Sequence, residues 1–249
     1  MLSVSHIEKC YKKGGMFSKE KQMVLKGISF ECKQGECLGI IGESGSGKST
    51  LGRLMLGIEK PDSGAILFEG MNVENRKARL GKISAVFQDY TSSIHPFNTV
   101  EQAMMEPLKL LKIAKQEAQA KIDLLLQQVG LPPSYRTKYP HELSGGEAQR
   151  VCIARAAATE PKCIVLDEAV SSLDGSVQKQ VLDLLKSLKT IYDMGYIFIT
   201  HDIQAAAYLC DRVIIIREGR IEEIVHIEHL NDVKTPYARK LLEAVIMQQ

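Results

Sequence analysis

"GIIGESGSGKST", residues 39–50, is the stretch that decides the fold of this chain. It fits the pattern G-x-x-x-x-G-K-[ST], with Gly42, Gly47, Lys48 and Ser49 at the fixed positions. Glycines let the backbone wrap tightly so that N–H groups face phosphate, and a helix that begins near Lys48 adds its positive end. The lysine of such a loop reaches the β- and γ-phosphates, and the serine hydroxyl can bind Mg²⁺. Because an apolar run precedes the loop and helical spacing follows it, we favour a phosphate-binding loop over a chance glycine turn.

The composition sets limits on the class of protein. The 249 residues are 45% hydrophobic and carry a net charge of +2, which fits one large domain or two small ones and is too mild to indicate nucleic-acid binding by itself. No apolar run approaches the roughly 20 residues of a membrane span, and the N-terminus lacks a signal-peptide core, so we expect a soluble, cytoplasmic chain. None of the six cysteines forms a C-x-x-C pair, which predicts reduced, packing cysteines.

Working outward from the loop, the pattern predicts alternating strands and helices. "MLSVSHIEKCYKK" reads as an edge strand, and "VLKGISFECKQGECLGIIG" as a half-exposed hairpin that turns at Gln34-Gly35 and leads into a buried strand. A helix over "STLGRLMLGI" and strands over "AILFEGMNV" and "ISAVFQD" follow. Residues from about 90 to 160 are predicted to be mainly helical, including "KQEAQAKIDLLLQQVGL" and "GGEAQRVCIARAAATEP". "CIVLDEA", "YIFITHD" and "RVIIIREG" are strands again, with a helix over "SVQKQVLDLLKSLKTIYDM" and a C-terminal helix over "TPYARKLLEAVIMQQ". The chain is therefore predicted to be α/β, with a parallel sheet and a helical insertion.

Two further motifs carry chemistry. The strand "CIVLDEA" (163–169) ends in Asp167 and Glu168, at the sheet edge where ligands bind. Asp167 suits the Mg²⁺ shell, and Glu168 suits orienting or deprotonating water. "LSGGEAQR" (143–150) offers a second anion-binding helix start, because Ser144, Gly145 and Gly146 expose N–H groups there. Two phosphate-binding elements in one chain invite a nucleotide sandwiched between two subunits, although periodicity alone does not establish it.

The order of "GESGSGKST", "FQD", "LSGGEAQR", "IVLDEAVSSLD" and "ITHD" resembles the ATP-binding subunit of ABC transporters over nearly the whole chain. The resemblance implies a P-loop NTPase fold of the ABC type, with a mixed sheet core, an antiparallel β subdomain and a helical subdomain. It implies a single domain over 1–249, with the helical subdomain at about 90–160 and a short tail at about 222–249. It implies ATP and Mg²⁺ as ligands. The site residues that it implies are, for ATP, Tyr11 (stacking on adenine), Gly42, Glu43, Ser44, Gly45, Ser46, Gly47, Lys48, Ser49 and Thr50; for Mg²⁺, Ser49, Gln88 and Asp167; for catalysis, Glu168 as the base, His201 as the γ-phosphate sensor and Gln88; for the partner's ATP, Ser144, Gly145, Gly146 and Glu147; and for the subunit-crossing loop, Ser171, Ser172, Leu173 and Asp174.

Finer matches are similar to one branch of that family, the peptide/nickel importer group. They include "FQDYTSSIHPFNTVEQAMMEPL", "YPHELSGGEAQR" and "TPYARKLLEAV", and the "GGMFSKEK" insertion resembles the second of that group's two unlike ATPase subunits. The chain lacks the cysteine-bearing C-terminal extension of many peptide-importing relatives, which favours nickel or metal–metallophore import over dipeptide or oligopeptide import. The resemblance implies a sister ATPase as heterodimer partner, two transmembrane permeases and an extracytoplasmic solute-binding protein. It places the chain at the cytoplasmic face of the membrane as a peripheral subunit, with no nucleic-acid partner.

Three positions depart from the family pattern, and rival functions stay open. Glu147 replaces the usual Gln, Ala169 replaces a Pro after the Asp-Glu pair, and "SSIHP" replaces a common Ser-Leu-Asn-Pro stretch. The rivals are an ABC ATPase that acts on nucleic acid or ribosomes, an exporter cassette and, least of all, a kinase, for which "LSGGEAQR" has no use. "HIEH" (226–229) has a spacing that metal ligands can take, but the acids around it favour a solvated surface.

Overall fold

The computed structural model describes residues 1–12, 21–89, 93–171 and 173–246. These ranges contain ten strands, β1 (Leu2–Lys12), β2 (Lys21–Cys32), β3 (Cys37–Ile41), β4 (Ser63–Phe68), β5 (Met71–Asn72), β6 (Ile83–Phe87), β7 (Cys163–Asp167), β8 (Gly195–Thr200), β9 (Arg212–Arg217) and β10 (Arg220–His226). The α-helices in this part of the chain are α1 (Lys48–Met55), α2 (Arg76–Arg79), α3 (Val100–Leu110), α4 (Lys115–Gln128), α5 (Gly145–Ala157), α6 (Gly175–Tyr192), α7 (Ile203–Leu209) and α8 (Pro236–Ile246). Short 3₁₀ helices span Pro133–Thr137, Pro140–Glu142 and Ile227–Asp232.

The chain divides into two compact units, Met1–Arg79 with Ile197–Gln249, and Leu80–Tyr196. The first unit contains an antiparallel sheet in the order β2-β1-β4-β5 and a second set of strands in the order β10-β9-β3-β8. In the second set β3 is parallel to β9, whereas β10 is antiparallel to β9. The mixed sheet and the antiparallel subdomain of the predicted fold class are therefore confirmed.

β3 is the strand that delivers the glycine-rich loop, and it is buried along its whole length. Its neighbour β9 contributes four buried apolar residues, Val213–Ile216. Strands buried on both faces read as continuous apolar runs, which is why "CLGII" and "VIII" show no alternation. Fully burying such a side chain contributes about 1.5–3 kcal/mol. The loop is thus carried by a rigid strand.

The second unit holds the helices predicted for the middle of the chain and the parallel pair β6–β7. α3 begins at a capping box in which Thr99 and Gln102 bond each other's backbone N–H groups. α4 confirms the amphipathic pattern of "KQEAQAKIDLLLQQ", with Ile122, Leu125 and Leu126 buried. Among the residues described, no helix combines the length and apolar character needed to cross a lipid bilayer.

Two expectations for the N-terminal strands are wrong. β1 is not an edge strand, because β2 and β4 pair with its two sides. β2 and β3 do not form a hairpin: the chain turns at Gln34-Gly35 as predicted, but the two strands belong to different sheets. Alternation of apolar residues reports which face of a strand is buried and says nothing about its neighbours in the sheet.

The segment predicted as one strand after α1, and the cysteines, can now be compared with the structure. "AILFEGMNV" forms two paired strands, β4 and β5, because Glu69 and Gly70 turn the chain with positive φ values of 50° and 77°. Five of the six cysteines are buried, no disulfide joins them within the described residues, and burial raises the pKa of Cys152 to about 11.

Of "HIEH", both histidines are exposed, and the described residues contain no metal-binding group of three or more His, Cys, Asp or Glu. The "GGMFSKEK" insertion, apart from Lys21, lies outside the described residues.

Candidate nucleotide-binding and hydrolysis site

The glycine-rich loop joins β3 to α1 in a conformation that only glycine accepts at two positions. Gly42 has φ of 154°, and a Cβ there would lie 2.1 Å from the backbone oxygen of Ile216. Gly47 has φ of 104°, and a Cβ there would lie 2.7 Å from a methyl of Leu25. Any larger residue would push the loop off β9 and β2. The pattern of glycines therefore reflects close backbone approach as well as the turn itself.

Lys48 is buried, with 6% of its surface exposed, and its ammonium group lies within the loop. Its Nζ donates to the backbone oxygens of Gly42 at 2.7 Å and Glu43 at 2.9 Å. A buried ammonium group needs such acceptors, because an unpaired buried charge is very costly. The backbone of the loop thus holds the Lys48 ammonium group, and we expect a bound phosphate to draw this group toward itself. Ser49 is half-buried and Thr50 is buried beside it at the start of α1.

The outer side of the loop is fastened to the C-terminal part of the chain. The N–H of Gly219 donates to the backbone oxygen of Ser46 at 3.0 Å, and the N–H of Glu43 donates to the hydroxyl of Tyr237 at 3.3 Å. Tyr237 lies in the first turn of α8 and is 8% exposed, with the Arg217 guanidinium 4.9 Å from its ring centre. A cavity of about 460 Å³ beside the loop is lined in part by Glu43, Ser44, Gly45, Tyr237 and Lys240.

Tyr11 and His201 also belong to the first unit. The Tyr11 hydroxyl donates to Glu59 at 2.5 Å, and Arg53 holds the other oxygen of that carboxylate at 2.6 Å. This fixes the half-buried Tyr11 ring at the end of β1. His201 is exposed between β8 and α7, where the side chain of Asp202 caps α7 by accepting the N–H of Ala205 at 3.0 Å. Both predicted residues therefore sit where the backbone is well anchored.

In the second unit, β7 ends at Asp167, and Glu168 follows it directly. Asp167 is half-buried, and Glu168 takes a left-handed φ of 51°, which is uncommon for a residue other than glycine. The turn is tied to Ser171, whose hydroxyl donates to the backbone oxygen of Glu168 at 2.9 Å. Ala169, which stands where the family has proline, is buried, and its backbone oxygen accepts from Gln149 at 2.6 Å. Hydrogen bonds thus hold the backbone of the turn at Glu168 and Ala169, where the family has the rigidity of a proline.

The "LSGGEAQR" motif forms the start of α5. Ser144 is the N-cap, and its hydroxyl accepts the N–H of Glu147 at 3.4 Å. The Glu147 carboxylate accepts the N–H of Ser144 at 2.7 Å, which completes a capping box. A Cβ on Gly146 would lie 2.9 Å from a methyl of Val177 on α6, so glycine lets the two helices approach. The predicted helix start is therefore present, but the N–H of Ser144, which was expected to be exposed, is bonded to the carboxylate of Glu147.

The remaining predicted residues differ in exposure. Gln88 is exposed just after β6, and Leu173 and Asp174 precede α6, for which Asp174 is the N-cap residue. Ser172 lies outside the described residues, as do residues 90–92 of the stretch that contains "SSIHP". Ser49, Gln88 and Asp167 offer hydroxyl, amide and carboxylate oxygens, the donor types that Mg²⁺ prefers, and each is at least partly exposed. Each of the three residues therefore has an oxygen of a type that can bind the metal.

Three residues that position these groups were not identified from the sequence. Gln149 is 1% exposed on a helix whose other buried residues are apolar, and this polar residue at a core position was the available signal. Tyr237 lies in "TPYARKLLEAV", a motif that by itself indicates no role for this tyrosine. Tyr135 donates its hydroxyl to Glu147 at 2.5 Å, and no local pattern marks it.

A family model described as "ABC transporter" matches residues 25–171. An α/β chain with this loop, this strand-terminal acid pair and this helix start is a nucleotide-binding ATPase, and it belongs to the ABC transporter family. The model covers more than half of the chain and includes the glycine-rich loop, the "LSGGEAQR" helix start and the acid pair. The resemblance stated from the motifs is thereby confirmed.

Curated relatives extend the match to nearly the whole chain. The "Metal-staphylopine import system ATP-binding protein CntF" of Staphylococcus aureus is 49% identical, with 98% of each chain covered. The "Nickel import ATP-binding protein NikE" of Rhodospirillum rubrum is 42% identical over 90% of this chain and 83% of its own. The "Oligopeptide transport ATP-binding protein OppF" of Haemophilus influenzae is 38% identical over 98% and 78%. A solved ATP-binding cassette, a dimer in a post-hydrolysis state bound to ADP and Pi, matches with a TM-score of 0.81 and 29% identity over 91% of this chain and 99% of its own.

Proposed function

We propose that this chain is the ATP-hydrolysing subunit of an importer for nickel or other metal ions, including metal–metallophore complexes. The observation that carries the proposal is the 49% identity, over 98% of both chains, to a metal-staphylopine import subunit. The similarity to the nickel import protein points to the same class of cargo. Import of dipeptides or oligopeptides is the alternative, supported by the 38% identity to an oligopeptide transport subunit. Nothing in the mild net charge of +2 favours the nucleic-acid alternative.

The nucleotide is assigned to the residues that the motifs indicate. Lys48 and the loop N–H groups hold the β- and γ-phosphates, the hydroxyl of Ser49 with Asp167 and Gln88 holds Mg²⁺, and Tyr11 stacks on adenine. Bound Mg²⁺ neutralises phosphate charge during transfer. The anchoring of Tyr11 by Glu59 supports a fixed ring, and the two carbonyl contacts of Lys48 support a cation stored for phosphate.

Hydrolysis is assigned to Glu168 as the base for the attacking water, with His201 as the γ-phosphate sensor. A carboxylate can accept a proton from water only when it is accessible and oriented. The turn after β7, with the Ser171 hydroxyl on the Glu168 backbone oxygen, supports that orientation. The exposure of His201 at the end of β8 supports its access to a nucleotide.

The chain is proposed to work as one half of a heterodimer with a sister ATPase. Ser144, Gly145, Gly146 and Glu147 would grip the ATP that the sister binds, and the loop from Ser171 to Asp174 would cross between the subunits. The position of Ser144 as the N-cap of α5 supports this assignment, because the N-terminus of a helix favours negative charge. ATP would close the two subunits and hydrolysis would reopen them, driving two permeases fed by an extracytoplasmic binding protein. The chain would then lie at the cytoplasmic face of the membrane as a peripheral subunit.

The base assignment is tested with Glu168→Gln, which keeps the side-chain shape but cannot accept a proton from water. We expect the rate of ATP hydrolysis by the assembled importer to fall about 10²- to 10⁴-fold, while ATP binding is retained. A long-lived ATP-bound assembly should accumulate, which size-exclusion chromatography with ATP would detect. The matched control is Glu243→Gln, an exposed carboxyl on α8 that should leave hydrolysis unchanged. Near-normal hydrolysis by Glu168→Gln would remove Glu168 from the base role.

The cargo is tested by uptake in cells that lack this chain. Loss of radioactive nickel uptake, with or without an added metallophore, and its restoration by the wild-type gene but not by Glu168→Gln, supports metal import. Loss of labelled dipeptide or oligopeptide uptake with intact metal uptake would favour the peptide alternative.

A further inference from the structure

Glu147 places a negative charge at a helix start that is proposed to grip a triphosphate. The carboxylate is held by this chain's own donors. One oxygen accepts the N–H of Ser144 at 2.7 Å, and the other accepts the hydroxyl of Tyr135 at 2.5 Å. Both oxygens are therefore occupied by hydrogen bonds within the chain.

The need for a second donor follows from the chemistry of the residue. A glutamine in this position could accept the N–H of Ser144 with its oxygen and turn its NH₂ group, a donor, toward phosphate or water. A carboxylate has only acceptor oxygens, so its second oxygen needs a donor or stays as concentrated charge. Tyr135 supplies that donor.

Tyr135 is in turn held and polarised by its surroundings. The Lys138 ammonium lies 3.6 Å from the centre of the Tyr135 ring, close enough for a cation–π interaction. The hydroxyl of Tyr135, the N–H of Ser144 and the charge of Lys138 lower the pKa of Glu147 from its ordinary value. The carboxylate is thus ionised and compensated at the same time.

The segment that carries Tyr135 is pinned to two helices. Arg136 donates to both oxygens of Asp123 on α4, at 3.1 and 3.0 Å, and to Glu101 on α3 at 2.7 Å. The two terminal nitrogens of the guanidinium thus bond one carboxylate on each helix, and these charge-assisted hydrogen bonds tie the segment to both helices. Tyr135 therefore meets Glu147 from a rigid platform.

We propose that Tyr135, supported by Lys138, is a positioning residue that lets a carboxylate stand at position 147 without repelling the nucleotide gripped by this helix start. Its hydroxyl holds the carboxylate in the capping box with Ser144 and spreads its charge. This inference rests on the proposed function, since the nucleotide concerned is the one bound by the sister subunit.

The test compares Tyr135→Phe in two backgrounds. With Glu147 present, we expect hydrolysis by the assembly with the sister ATPase to fall at least about fivefold, because a charge-assisted hydrogen bond is lost. In a Glu147→Gln background the further change Tyr135→Phe should alter hydrolysis by less than about twofold, since a neutral amide does not need that donor. Tyr192→Phe is the matched control: it removes a hydroxyl bond of 2.7 Å to Gln128 in the same unit and should leave hydrolysis unchanged in both backgrounds.

Equal losses in the two backgrounds would overturn the proposal, because Tyr135 would then act as a general structural residue. Unchanged hydrolysis by Tyr135→Phe with Glu147 present would overturn it as well. The isolated chain supplies a separate measurement: Tyr135→Phe should lower the free energy of unfolding more in the wild-type background than in the Glu147→Gln background, while ATP affinity stays unchanged. Absence of this coupling contradicts the contact itself. A wild-type assembly that hydrolyses no ATP, with the coupling intact, would instead contradict the proposed function.

Discussion

At the scale of single residues, Lys48 shows how the loop stabilises a buried positive charge. Lys48 is almost fully buried, but its ammonium group is not isolated, because it donates hydrogen bonds to the backbone oxygens of Gly42 and Glu43. A phosphate oxygen carries more negative charge than a peptide carbonyl, and bonds to charged partners are roughly twice as strong. Phosphate is therefore expected to draw Lys48 away from the loop carbonyls.

Lys48→Ala tests this at the residue scale. Removing the ammonium should lower the affinity of the isolated chain for ATP at least about tenfold, since hydrogen bonds to charged groups contribute about 1.5–3 kcal/mol. The fold should survive, because Gly42 and Gly47 set the loop by backbone contact. Lys60→Ala, which removes an exposed lysine paired with Glu74, is the control and should bind ATP normally. Unchanged ATP affinity in a folded Lys48→Ala chain would contradict the assignment.

At the scale of elements, the loop depends on a helix from the far end of the sequence. The start of α8 is held by Glu223, which accepts the N–H groups of Lys234 at 3.0 Å and Thr235 at 3.1 Å. This fixes Tyr237, whose hydroxyl receives the Glu43 N–H. Burial raises the pKa of Tyr237 from its ordinary value, so the hydroxyl stays neutral. α8 therefore braces the first residue of the loop after Gly42.

Tyr237→Phe removes that hydroxyl alone. We expect the affinity of the isolated chain for ATP to fall about two- to tenfold, because one neutral hydrogen bond contributes about 0.5–1.5 kcal/mol. Fluorescence titration with a labelled ATP measures it. Tyr196→Phe serves for comparison, since its hydroxyl donates to the Leu185 backbone oxygen at 2.9 Å, away from the loop, and its loss should lower thermal stability without weakening ATP binding. Equal ATP affinity in wild type and Tyr237→Phe would show that α8 does not brace the loop.

At the scale of the whole molecule, one chain carries two elements to which the proposed function assigns the phosphates of different nucleotides. The glycine-rich loop belongs to the unit formed by Met1–Arg79 and Ile197–Gln249, and the helix start at Ser144 belongs to Leu80–Tyr196. Each element is held by hydrogen bonds within its own unit. Lys48 bonds a backbone oxygen of the loop, and a capping box holds the helix start. In the proposed dimer, the loop would contact the ATP of this chain and the helix start would contact the ATP of the sister subunit.

Ser144→Arg tests that division of labour. A bulky side chain at the helix start should block the approach of the sister's γ-phosphate, so ATP-driven association and hydrolysis should be lost when the variant is mixed with a wild-type sister subunit. The isolated variant should bind ATP normally, because Lys48, Ser49 and Asp167 are untouched. Ser187→Arg, on the exposed side of α6, controls for the added charge and bulk. Loss of ATP binding by the folded, isolated variant would place Ser144 in the site of its own chain and contradict the sandwich.

The amino-acid sequence by itself determined the elements whose residues are contiguous. The strand–loop–helix around residues 39–50, the acid pair at the end of β7 and the helix start at Ser144 could all be predicted, because glycine, capping and charge act on neighbours along the chain. The family and the mixed α/β fold followed from their order.

Only the tertiary structure decided which distant residues support those elements. β1 pairs on both sides because β4 returns beside it, and β2 and β3 part because β3 pairs with β9. Tyr237 meets Glu43 across 194 positions of sequence, and Tyr135 meets Glu147 across 12. A tyrosine hydroxyl bonds whichever partner the fold brings within about 3 Å, and no local pattern records that partner. The motifs to which the proposed function assigns the chemistry can therefore be identified in the sequence, whereas the residues that hold them in place are determined by the fold.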